Sequence, residues 1–188
     1  MTLADKLLEL HMPTAIDTMR PLLRTMPKHK RKHSIRVAST INNTHDDHVW
    51  AALVHDYLER GGKLRKLAKY AAEMGISDRV VRMAKALSSD KDEEGENAVL
   101  DHLKRVIPTL DDDDANAVAL IKLSDRIDNL RKRLFQRGKI GRNYWRKSEE
   151  VLNYLKSVYT GPREWWNTLE REITVVGIPP SLSATLEN

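Results

Sequence analysis

A chain of 188 residues has room for one domain around a single sizeable core, and with no cysteine it has no disulfide, thiolate metal site or cysteine nucleophile. Aromatic residues are only 5% and β-branched runs are scarce, which favours helix over strand. The formal charge of +5 favours a polyanionic partner, but does not separate nucleic acid from a phosphorylated small molecule.

In chain order, Leu3, Leu7, Leu8 and Leu10 open a short amphipathic stretch. Acids interrupt its apolar pattern, unlike a signal peptide, and no run approaches the roughly 20 apolar residues of a membrane span. A cytoplasmic protein with no membrane partner is therefore expected. Pro13 starts a second helix, with Ala15, Met19, Leu22 and Leu23 apolar. PKHKRK, from Pro27 to Lys32, is a basic loop or helix start, and HSIRVASTI then repeats His33, Val37 and Ile41 on one helical face. DDHVWAALVHDYLER puts Val49, Ala52, Leu53 and Asp56 on one side and ends at Gly61-Gly62. Further helices are predicted over Lys63–Met74, Ser77–Leu87, Glu94–Val106 and Ala115–Gln136, with Ser77 an N-cap and Asp111 to Asp114 capping the last of these. SSDKDEEGEN, from Ser88 to Asn97, reads as an exposed loop. Tyr144–Tyr159 and Pro162–Ile173 are the final helices, before the loose end GIPPSLSATLEN. The expectation is an all-α protein: one helical-bundle domain over 1–140, and a helical C-terminal extension over 141–188 packed on it.

The pair His-Asp occurs twice, at His45-Asp46 and at His55-Asp56. The first follows turn-forming residues, where Asp46 or Asp47 suits an N-cap, although His48 makes a loop metal site conceivable. The second ends the apolar run VWAALV, where strongly polar groups need partners. Glu59 shares that helical face. His33 opens an apolar stripe, and Asp125 interrupts another in ALIKLSDRIDNLRK. Asp125 reads either as a surface ion pair with Arg126 or Arg131, or as a buried ligand four residues after Ile121. Two His and two Asp make a mixed nitrogen and oxygen set, suited to a divalent ion such as Mn²⁺ with positions left for water and substrate.

HSIRVA, ALVHDYLE and LIKLSDRIDNLRK, in that order, resemble the HD-domain phosphohydrolases. They are most similar to the RelA/SpoT-type hydrolase domains and the small stand-alone alarmone hydrolases. The likeness spans roughly Arg24 to Leu134, and its most telling block is KLSDRIDNLR. It implies an HD-domain helical bundle with His33, His55, Asp56 and Asp125 as metal ligands. It implies that Glu59 positions or deprotonates the attacking water, and that Asn129 contacts the nucleoside. Ungapped counting puts Arg24 at the family's purine-facing basic position. The implied reaction is metal-assisted removal of the 3′-pyrophosphate of ppGpp or pppGpp.

The family's Pro after the first His is Ser34 here, with little chemical consequence, and two other departures bear on the chemistry. The family's Asp after the motif Glu is Arg60 here, which removes one of two carboxylates acting on the water and adds a cation able to bind phosphate. PKHKRK is more basic than usual, and reads as a solvated face or a phosphate-binding rim. The alternatives to an alarmone hydrolase are a nucleotide-binding HD protein with impaired or altered hydrolysis, and another HD nucleotidase acting on dNTPs or nucleoside monophosphates. Nucleic-acid binding is the weakest reading, because the basic residues are dispersed and acids are almost as numerous. The sequence leaves homo-oligomerisation open.

Overall fold

The computed structural model describes residues 13–42, 44–59, 61–88 and 98–175. The Leu3–Leu10 stretch, residues 89–97 of the acidic loop, the C-terminal GIPPSLSATLEN and Arg60 lie outside them. Within them the chain is all-α. The helices are α1 (Pro13–Leu23), α2 (Lys28–Thr40), α3 (Asp46–Glu59), α4 (Leu64–Glu73), α5 (Asp78–Leu87), α6 (Ala98–Val106), α7 (Asp112–Arg137), α8 (Arg142–Val158) and α9 (Arg163–Val175). A 3₁₀ turn, Ile107–Thr109, links α6 to α7.

PKHKRK turns out to be a helix start: α2 begins at Lys28, directly after Pro27. Ser77 caps α5 as expected, its side chain accepting from the Arg79 N–H. α7 begins three residues before the predicted Ala115. Asp111 is its N-cap, accepting from the Asp114 N–H at 2.8 Å, and Gly138 ends it in the left-handed conformation at φ 66°. Asp114 does more than complement the helix dipole. Its buried carboxylate takes hydrogen bonds from Arg79 at 2.8 Å and Arg82 at 2.9 Å, tying the start of α7 to α5.

α3 is the centre of the bundle. It packs against α1, α2, α5 and α7. The one-sided face expected for it is replaced by burial all round, since every residue from Ala51 to Tyr57 is buried. A helix enclosed by four others has no solvent face to keep polar, and two adjacent alanines let neighbours approach closely. The turn after it requires glycine. Gly61 has φ 88°, and a Cβ at Gly62 would collide with the Tyr57 ring. α7 also crosses the core, with Ala117 to Ser124 all buried. α8 and α9 pack on α7 and put Val151, Leu152, Leu155, Trp166 and Leu169 into the same hydrophobic core. No helix among the described residues is long and apolar enough to cross a membrane.

Candidate metal centre

Three helices that are distant in sequence converge on one point. α2 carries His33, α3 carries His55, Asp56 and Glu59, and α7 carries Lys122, Asp125, Asp128 and Asn129. Ser124 Oγ donates to the Val37 carbonyl at 3.1 Å, which fastens α7 to α2 one residue before Asp125. Ligand atoms of His33, His55 and Asp125 all lie within 4.8 Å of one another, so a single ion can be held by all three.

His55 is oriented by its own helix. Its Nδ1 is 2.7 Å from the Ala52 carbonyl, which only accepts, so Nδ1 carries the hydrogen and Nε2 presents its lone pair. Nε2 is buried and has no hydrogen-bond partner. It faces Asp125 Oδ1 at 3.9 Å and Asp56 Oδ1 at 3.9 Å. Burial pushes the imidazole pKa down despite those two carboxylates, which keeps the ring neutral. A buried imidazole lone pair without a donor is costly, and a cation in reach of two carboxylates would satisfy it.

His33 is in the opposite state. Its Nε2 is 2.9 Å from Asp125 Oδ1, and its Nδ1 is 2.6 Å from Asp128 Oδ2. Burial disfavours its charge, but the two carboxylate hydrogen bonds outweigh burial and raise its pKa to about 9. In the metal-free protein it is an imidazolium between two carboxylates. A metal on Nε2 would displace one proton, while Asp128 would keep the Nδ1 hydrogen and orient the ring. Burial opposes the charge of Asp125 as well, yet the His33 hydrogen bond and the Lys122 ammonium hold its carboxyl far below the usual range. Asp128 falls to about 2, with the His33 and Arg36 hydrogen bonds overcoming burial.

Asp56 borders the group. Its Oδ2 lies 4.0 Å from His33 Nε2 and is engaged by the Lys30 ammonium at 2.9 Å. Asn129 is also brought in: its side-chain N–H donates to Asp125 Oδ1 at 2.7 Å, so here it orients a candidate ligand. Glu59 lies one turn beyond His55, half-buried, with Lys122 Nζ at 3.8 Å. Burial raises its pKa. Lys122 opposes that rise, and the charges of Asp56 and Asp125 add to it. The surface ion pair considered for Asp125 is not its environment, because its carboxylate faces His33, His55 and Lys122.

Arg24 is exposed just past α1, and among the described residues no hydrogen bond or ion pair joins it to the cluster. Arg60 lies outside the described residues. His45 is exposed and His48 buried beneath Trp165, with ring centroids 5.7 Å and 6.2 Å from it; among the described residues they form no ligand group with a carboxylate.

Sequence reasoning does not single out Lys30, Lys122 or Asp128. Lys122 and Asp128 flank Asp125 at three residues on either side, and so share its helical face. A lysine inside the apolar run of α7 is the same kind of anomaly that marks Asp125. Lys30 carries no such signal, since within PKHKRK it is indistinguishable from its neighbours. Comparison with protein-family models, with curated proteins and with solved structures returns no match for this chain.

Proposed function

We propose that this chain is a metal-dependent phosphohydrolase of the HD type acting on a phosphorylated purine nucleotide, with 3′-pyrophosphate removal from ppGpp or pppGpp as the first candidate reaction. The observation that carries the metal centre is the buried, unpartnered Nε2 of His55 beside the carboxylate of Asp125. The substrate class rests on the likeness of the three sequence blocks to alarmone hydrolases.

His33, His55 and Asp125 would hold the ion, with Asp56 beside them. A divalent ion such as Mn²⁺ supplies Lewis acidity there, lowering the pKa of water and offsetting charge on phosphoryl oxygens. The protein's own groups do the rest. Glu59 accepts a proton from the attacking water, and its raised pKa makes it a stronger base once ionised. The Lys30 and Lys122 ammoniums, already at the cluster edge, offset the negative charge of the transferred group. Asn129 and Asp128 keep Asp125 and His33 in position.

A second reading is nucleotide binding with slow or redirected hydrolysis. Arg60, where the family carries a second carboxylate, favours it. One experiment addresses both readings. The purified protein is incubated with Mn²⁺ and a panel of ppGpp, pppGpp, dNTPs and nucleoside monophosphates, and products are followed by chromatography. Release of pyrophosphate from ppGpp supports the first reading. Binding without turnover on any of them, with ppGpp turnover appearing in Arg60→Asp, supports the second. Neither binding nor turnover of any nucleotide refutes both.

A further inference from the structure

PKHKRK divides between two destinations. Lys30 turns to Asp56 and the metal cluster, whereas His29 and Lys32 line a separate cleft between α2 and α7. The cleft has a volume of about 520 Å³, within the range of small-ligand sites. Arg36 shares the α2 wall, and Arg131 and Lys132 form the α7 wall. Four cationic side chains and a histidine thus surround a single carboxylate, Asp128. That carboxylate is itself held by Arg36 at 2.7 and 2.9 Å and by His33. Phe135, the chain's one phenylalanine, stands at the cleft 94% exposed. The cleft is not the metal centre: His33 turns Nε2 towards Asp125 and Nδ1 towards Asp128, so its ring separates the two.

We propose that the α2–α7 cleft is a second binding site, which takes a nucleotide by its phosphates with Phe135 stacking on the base. Cationic side chains converging from two helices favour a compact polyanion, and their length lets them reach several phosphate oxygens. An exposed aromatic ring beside such a group offers a base a flat apolar face, which inorganic phosphate does not need. The proposal holds whether or not the metal centre hydrolyses anything.

The test is titration calorimetry of the full chain with GTP in EDTA, so that no divalent ion contributes. Saturable one-to-one binding is expected. Arg131→Glu combined with Lys132→Glu should weaken it more than about tenfold, since two charge-assisted hydrogen bonds to phosphate give way to repulsion. His29→Glu with Lys32→Glu, on the opposite wall, should do the same, and circular dichroism checks that each variant is folded. Asp125→Ala should keep the affinity for GTP. Phe135→Ala should weaken GTP but leave inorganic tripolyphosphate unchanged. Absence of GTP binding, or loss in Asp125→Ala with both cleft variants unaffected, would overturn the proposal. So would preferential binding of a single-stranded oligonucleotide that is lost in the same cleft variants, because the site would then belong to nucleic acid.

Discussion

His55 binds its own helix through Nδ1 and leaves Nε2 bare, while His33 holds both nitrogens against carboxylates. The two rings therefore respond differently to substitution. His55→Ala removes a ready lone pair, and Asp125→Ala removes the anion that both imidazoles face. Each should abolish stoichiometric Mn²⁺ measured by mass spectrometry, with the helical circular dichroism retained. Asp128→Asn leaves the ligand set intact but alters the partner of His33 Nδ1. It should weaken metal affinity by about 10–100-fold, the usual scale for losing an outer partner of a metal-bound histidine. Glu59→Gln should keep the ion and lower turnover about 10²–10⁴-fold, the range for lost general base catalysis. Wild-type turnover in that variant would remove Glu59 from the reaction.

Among the helices, α7 links the core, the candidate metal centre and the basic cleft. Its position depends on its first turn, where Asp111 caps it and Asp114 binds Arg79 and Arg82 of α5. Asp114→Ala leaves two guanidiniums that are 30% and 51% exposed and can find water. The expected cost is therefore about 1–3 kcal/mol, that of lost charge-assisted hydrogen bonds rather than of a stranded buried charge. Leu123→Ala, deep in the same helix, should cost more, about 2–5 kcal/mol. Urea unfolding with both variants gives the comparison. A larger loss from Asp114→Ala would mean that this ion-pair hub, more than the apolar stripe, locks α7 into place.

For the whole molecule, pH would link the fold to an ion held by the candidate centre. In the metal-free protein His33 holds its proton up to about pH 9, whereas in the unfolded chain it releases it near the ordinary 6.5. Between those values the folded state binds more protons. Stability from this group is thus complete below pH 6.5 and is lost as pH rises towards 9. Thermal unfolding of the metal-free protein across that window should show the decline. His33→Gln, which does not titrate, should flatten it. Metal binding runs the other way. The ion displaces that proton, so Mn²⁺ affinity should rise with pH through the same window, and the loaded protein should not share the loss of stability.

The helices themselves are written in local order: apolar periodicity, the Ser77 cap and the Asp111 cap place them with shifts of a few residues at the ends. His55, Asp56 and Asp125 stand out in the sequence as polar residues within apolar stripes, His33 opens one and Glu59 shares the face of His55 and Asp56, while their grouping into one ligand set was what the block resemblance implied. Periodicity describes one helix at a time. It therefore could not show that α3 is buried all round, which depends on four neighbours arriving from elsewhere in the chain. Nor could it tell Lys30 from His29 and Lys32, although adjacent residues on α2 project at different angles, one onto Asp56 and the others into the cleft. The state of each imidazole was likewise decided by tertiary structure. His33 is charged because Asp125 and Asp128, more than ninety residues away, close on both nitrogens, and His55 is neutral because the core around it excludes water.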